Sequence, residues 1–426
     1  MFRKTLAVAA AAALTFAFAA CSSDDPPTTP STTTQAPSDP GSTADALPER
    51  GDADLVIWAD ANRTTALEAA LKTWADAQGI KAVVQTVATD LQANFVTANQ
   101  AKNGPDIVIG AQDWTGKLVQ NSAIIPVQLS ATGVAQSAID AVSYGGQTYG
   151  APYALETLGL FVNNTLTSVT APTTIEEMVA GATAGGIAGV AENPLCLQVG
   201  PNGDAYHMQP LFTSAGGYIF GTNTDGSYNT KDVGVGSAGG IAAATKIGEL
   251  GAAGVLKNSI DGNNSIPLFT EGKCTYLVSG PWALATIRDA KVDFTLTQIP
   301  GFAGMGPAVP PLGVQAFFVA SNAKNPAYAQ QFLTDLLKDT TITKAMNTLD
   351  ARIPVQDALA AELQASDPVL MQFLEYAESA AAMPNIPAMD AVWGPLAKAE
   401  ASVVGGADPT SSMTAAGNEI SSAVNG

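Results

Sequence analysis

The chain has 426 residues, of which 46% are hydrophobic and 13% charged, against a usual charged share of about 25%. Nineteen Lys and Arg stand against 38 Asp and Glu, a net charge of −19, so a nucleic-acid partner, which needs a basic face for its phosphates, is disfavoured. The length suits two or three domains, and of one His (His207) and three Cys (Cys21, Cys196, Cys274) the part beyond residue 51 keeps only His207, Cys196 and Cys274, one short of the four ligands of a structural zinc site without carboxylates.

Met1–Ala20 has the layout of a signal peptide: Arg3 and Lys4, an apolar run from Leu6 to Phe18, then small residues before Cys21. It is too short for a comfortable transmembrane helix. Phe18-Ala19-Ala20-Cys21 resembles a bacterial lipobox, with Phe where Leu is usual, so Cys21 is the expected lipidated N-terminus of the mature chain. Residues 21–51 read as a Ser/Thr/Pro-rich linker, which buries too little to offset its ordering entropy and is expected to be disordered.

Ala53–Ala59 is an apolar strand, followed by a helical stripe of Leu67, Leu71, Trp74 and Gln78 that stops at Gly79. Residues 80–87 and 105–110 are further strands, and 157–162 another, so strand and helix alternate as in an α/β sheet. Thr174-Ile175-Glu176-Glu177 is a capping box. Beyond about residue 325 the pattern turns helical, over 327–337, 355–363, 368–381, 389–404 and 411–424.

Gly234-Val235-Gly236-Ser237-Ala238-Gly239 spells G-x-G-x-x-G, but a dinucleotide site also needs a preceding strand, and here a turn with a short flank precedes it. It reads as a plain helix start. A Ser-His-acid triad would have to use His207, and no Gly-x-Ser-x-Gly elbow occurs. Acids are numerous enough for a paired-carboxylate glycosidase, without a motif to select them. Of the five Trp, Trp58 and Trp74 fall on apolar faces and read as core. Trp114, Trp282 and Trp393 follow turns, where an aromatic ring is either a packing anchor or a ligand platform.

In chain order, Leu55-Val56-Ile57-Trp58, Gly104-Pro105-Asp106-Ile107, residues 151–156, 216–220 and 231–235, Gly280-Pro281-Trp282-Ala283 and Met383-Pro384-Asn385-Ile386-Pro387 resemble the maltose and maltodextrin-binding proteins, extracellular solute-binding proteins of ABC importers. The resemblance covers nearly all of residues 53–425. It implies an α/β, two-lobed, periplasmic-binding-protein-like (type II) fold with a hinge, a ligand cleft and a helical C-terminal part. The N-terminal lobe would comprise 52–154 plus 317–362, and the C-terminal lobe 159–310 plus 368–426.

Carried over residue by residue, Trp114, Trp282, Trp393 and Tyr206 look like platforms for sugar faces, and Asp113, Glu156 and Asp204 like hydroxyl acceptors. Asn62 and Arg63 stand where relatives often have an acid and a Lys. Gly110 replaces an aromatic residue, and Gly394 and Ala397 replace a Tyr and an Arg. Cys196 and Cys274, left over after lipidation in an oxidising compartment, flank strands that the resemblance puts in one sheet, so a disulfide is expected.

The function so implied is capture of an oligosaccharide, a maltose- or maltodextrin-like α-glucoside first, for delivery to the transmembrane subunits of an ABC permease. The protein would be an extracytoplasmic, lipid-anchored monomer that touches the membrane through its anchor only, with no cofactor, no metal and no chemistry of its own. The alternatives are an extracellular glycan-active hydrolase using cleft carboxylates, which would turn over its sugar, and a wall-associated interaction protein with a vestigial cleft, which would bind none.

Overall fold

The structure, a computed structural model, describes residues 47–426. The expected signal peptide, the lipidated Cys21 and most of the expected linker lie outside the described residues. The fold is mixed α/β, built on two main sheets.

The larger sheet has seven strands. Leu55–Ala59 lies between Ala82–Thr86 and Ile107–Ala111, parallel to both, and the long strand Pro311–Val319 runs antiparallel to Ile107–Ala111 and to Gly150–Glu156. Two-residue strands finish it: Ile353–Pro354 on the far side of Gly150–Glu156, and Ala381–Ala382 beside the start of Pro311–Val319. The smaller sheet has the order Phe294–Thr297, Gly159–Asn163, Cys274–Ser279, Asn193–Cys196. Both faces of its central strands are covered. Leu160, Val162, Tyr276 and Val278 belong to one apolar cluster, while Phe161 and Leu277 belong to the other, which is why these strands read as unbroken apolar runs. Cys196 and Cys274, on neighbouring strands of this sheet, are joined as a disulfide.

Local sequence explains the element ends. Asp60 caps helix Ala61–Gln78 by accepting from the backbone N–H groups of Asn62 and Arg63. Gly79 ends it in the left-handed region at φ 68°, a conformation that costs an L side chain more. At Thr174 the hydroxyl accepts from Glu177 N at 3.1 Å, but the Glu177 carboxylate closes on Thr173, not Thr174. Trp58 and Trp74 are buried, with their indole N–H groups donating to Gln85 and Asp335 at 2.9 Å each.

Two expectations are corrected. A strand, Tyr228–Val233, does precede the G-x-G-x-x-G run, but it pairs antiparallel with Phe220–Thr222 in a separate two-stranded ribbon. The glycines there permit close packing: a Cβ at Gly234 would strike Tyr218 and one at Gly239 the carbonyl of Gly216. The helix expected from residue 389 is a 3-10 turn, Pro387–Ala391, followed by helix Trp393–Val404. The cause lies just before it. Asn385 donates to the carbonyls of Ala141 and Ser143 and accepts from Gly116 N, which pins the Pro-rich run before the helix can begin.

Helix Trp393–Val404 carries one costly residue. Glu400 is fully buried with neither carboxylate oxygen partnered inside the protein, and burial, with Asp204 adding to it, pushes its carboxyl well above the ordinary range. A raised carboxyl pKa means that the folded chain holds the proton, so this group's contribution to stability falls as pH rises above the unfolded carboxylate range. Glu400→Gln should therefore raise stability at pH 8, by about 1–3 kcal/mol, and change little at pH 4. Urea unfolding at the two pH values checks this; an equal effect at both would contradict it.

Candidate functional site

Side chains from the carboxyl ends of strands in both sheets converge. Leu55–Ala59 leads into Asp60, Asn62 and Arg63; Ile107–Ala111 leads into the turn Gln112–Trp114; Glu156 is the last residue of Gly150–Glu156; and Cys274–Ser279 leads into Pro281–Ala283 with Trp282. Ligands of open α/β sheets bind at such strand ends. Asn62, Arg63, Glu156 and Trp282 line one cavity of about 540 Å³, together with Gln198, His207, Asp350 and Arg352.

Charge in this cavity is held in place by ion pairs. Arg352 lies 3.2 Å from Glu156 and 3.0 Å from Asp350, and its guanidinium sits 5.2 Å from the centre of the Trp282 ring, within cation–π range. Glu156 also accepts from Gln315 Nε2 at 2.9 Å. Arg63 pairs with Asp60. Burial opposes the charge on both arginines, but the neighbouring carboxylates, Asp60, Glu156 and Asp350 for Arg63 and Glu156 and Asp350 for Arg352, keep their pKa values raised. Burial likewise raises Asp350 and the phenols of Tyr153 and Tyr206.

The remaining expected residues have distinct surroundings. Tyr206 lies 6.4 Å from Trp282 in a tilted pair, and His207 lies 5.9 Å from it edge-on. Asp204 caps helix Ala205–Ser214, accepting from His207 N at 3.0 Å while its other oxygen accepts from Gln198. Both of its oxygens are thus engaged within the chain. Asp113 is buried and accepts from Trp393 Nε1 at 2.9 Å, joining the turn after Ile107–Ala111 to the head of helix Trp393–Val404. Trp114 occupies the space next to Gly110, where a Cβ would come within 2.3 Å of its ring. Gly394 borders open space, so nothing in the packing excludes a larger residue there.

Arg352, Asp350, His207, Gln198, Tyr153 and Gln315 escaped the sequence reading. Tyr153 sits inside the 151–156 run, two residues before the end of its strand, and His207 adjoins Tyr206; those were the available signals. Arg352 had none, because the strand that places it is two residues long. Buried polar atoms without a partner inside the protein gather around this site: Arg63 Nε, Asp113 Oδ1, Tyr153 OH, Tyr206 OH, His207 Nε2, Gln315 Oε1 and Arg352 Nη1. That set holds both donors and acceptors, and the nearby arginine and carboxylate charges oppose one another. Such a surface suits a neutral ligand bearing many hydroxyls.

The fold and this polar, aromatic cavity define a binding protein for a small polar solute. The chain belongs to the bacterial extracellular solute-binding proteins, whose family profile matches residues 63–372. It is 25% identical to the galactooligosaccharide-binding protein of Bacillus subtilis, across 88% of this chain and 90% of that one. It is also 25% identical to a maltooligosaccharide ABC transporter solute-binding lipoprotein of Streptococcus pneumoniae, across 86% and 85%, and 25% identical to the maltotriose-binding protein of Pyrococcus abyssi, across 72% and 67%. These are binding proteins, and the hydrolase alternative is set aside on that ground.

Burial raises the Asp113 carboxyl to about 6, against the Trp393 hydrogen bond that favours its charge. Trp393 emission should therefore titrate with a midpoint near pH 6 and lose that transition in Asp113→Asn. An unchanged titration in the variant would contradict the assignment.

Proposed function

We propose that the protein is the substrate-binding component of a carbohydrate ABC importer, which captures a neutral oligosaccharide between two lobes and presents it to the transmembrane subunits of the permease. The large sheet would form the core of one lobe and the small sheet that of the other, with residues 52–154 plus 317–362 and 159–310 plus 368–426 as their extents. Cys21 would carry the lipid that keeps a monomer at the outer face of the membrane. The observation that carries this reading is the group of unpartnered buried donors and acceptors around Trp282, Tyr206, Asp113 and Glu156. A pyranose offers apolar faces to the aromatic rings and a rim of hydroxyls to the polar atoms. The named ligands of the relatives, galacto- and malto-oligosaccharides, support the same class.

In this reading Trp282, Trp393, Trp114 and Tyr206 supply apolar contact, and Asp113, Glu156, Asn62 and Arg63 the polar contact. Asp204 acts through the helix it caps and through Gln198 and His207. Because closure is a population shift, the ligand must touch groups from both sheets to drive it. Titration calorimetry against maltose, maltotriose, a β-galactotriose, trehalose, sucrose, raffinose and monosaccharides tests the class; saturable binding with the sugar recovered intact is expected, and no binding across the panel would overturn it. For the best ligand, Trp282→Ala and Trp393→Ala should each weaken affinity at least about tenfold, roughly 1.4 kcal/mol, and Glu156→Gln should weaken it without unfolding the chain. Trp74→Ala should instead cost about 3–5 kcal/mol of stability and leave the affinity of folded protein unchanged.

A further inference from the structure

Arg352 stands outside the family-derived set of ligand contacts, yet its position is fixed by a strand register and by two carboxylates. The register pairs Ile353 with Leu155 and Pro354 with Ala154, which sets Arg352 opposite Glu156 where the two strands meet. Arg352 Nε and Nη2 are committed to carboxylates: Nε lies 3.1 Å from Asp350 and 3.2 Å from Glu156, and Nη2 is 3.0 Å from Asp350. The third nitrogen, Nη1, is buried without a partner inside the protein. The residue lines the same cavity as Trp282, Glu156 and Asn62, and its guanidinium lies over the Trp282 ring.

We propose that Arg352 is a specificity-determining residue of this site, donating through Nη1 to a hydroxyl of the saccharide unit held at Trp282. The inference rests on the oligosaccharide reading given above and deepens it. With two nitrogens clamped by Asp350 and Glu156, the planar guanidinium presents its remaining N–H groups in a fixed direction, which a flexible lysine ammonium cannot do. Because the guanidinium is held over Trp282, a pyranose packed against the same ring brings its hydroxyl rim beside Nη1. A hydroxyl in the right position accepts a charge-assisted hydrogen bond, the stronger kind. A ligand that packs on the ring but lacks that hydroxyl leaves Nη1 buried and unpartnered. Arg352 therefore selects among sugars of equal size by the position of a hydroxyl.

The test uses the panel ligand that the wild-type protein binds best, with its monodeoxy analogues, measured by calorimetry on wild type, Arg352→Lys, Arg352→Gln and Trp282→Ala. Arg352→Lys keeps the charge between Glu156 and Asp350, so it folds even if Arg352→Gln does not. Expected is at least a tenfold loss of affinity in Arg352→Lys with its unfolding midpoint close to wild type. One monodeoxy analogue should bind wild type about tenfold more weakly than the parent sugar, yet bind Arg352→Lys as well as the parent does, since the partner of the missing hydroxyl is already gone. A merely structural role would not produce that equality. Wild-type affinity in Arg352→Lys, or an equal deoxy penalty in both proteins for every analogue, overturns the proposal, and the oligosaccharide reading then stands on Trp282→Ala alone. Failure of every sugar to bind wild type overturns the reading itself, and this proposal with it.

Discussion

The pairing of Glu156 with Arg352 is the interaction around which the site is organised. One closes a long strand of the large sheet, the other precedes the two-residue strand at its edge, and the register sets them opposite each other. Opposite charges at facing positions stabilise a strand pair, but burial makes the energetic return small, since two desolvated ions regain little more than they lost in leaving water. Their effect is positional. Removing either partner would strand a buried charge at a cost of about 3–5 kcal/mol, so each fixes the other, and Asp350 and Gln315 hold what remains.

Two further groups of site residues are placed by turns at strand ends. Trp282, placed by the turn after a strand of the small sheet, brings Tyr206 and His207 with it. Asp113, placed by the turn after a strand of the large sheet, meets Trp393 at the head of a C-terminal helix. The glycines explain how the bulky rings fit. A Cβ at Gly280 would fall 2.1 Å from the Trp282 ring, so the indole can lie back against its own backbone. At Gly116 a Cβ would meet Pro387 at 2.6 Å, so the run before Trp393 can approach the turn that carries Asp113. Close approach of backbone, more than apolar area, brings the aromatic residues to one place.

Much of this was legible in the sequence. Apolar runs marked Leu55–Ala59, Ala82–Thr86 and Ile107–Ala111 in the large sheet and Gly159–Asn163 in the small one, though not Pro311–Val319 or Gly150–Glu156, and the stripe of Leu67, Leu71 and Trp74 ended at Gly79, where the structure ends the helix. Trp114, Trp282 and Trp393 were separable from the core Trp residues because each follows a turn. Helix Thr341–Leu349 escaped, since its opening Thr-Ile-Thr is β-branched and favours strand locally; packing against helix Ala61–Gln78 decides it. Asp204 looked like a free acceptor because nothing in a single sequence shows that Gln198 and His207 N will occupy it. Arg352 was invisible for a related reason: its role depends on a register between segments about 200 residues apart, and a two-residue strand leaves no periodicity to read.

The central claim is that one neutral saccharide engages groups carried by both sheets. Hydrogen exchange on the protein with and without saturating maltotriose, or whichever panel sugar binds best, tests it most directly. Protection should rise together in residues 112–116 and 150–156 from the large sheet and in residues 280–284 and 393–397 on the small-sheet side. Protection confined to one of those two sets, or absent from both at saturation, would contradict the account.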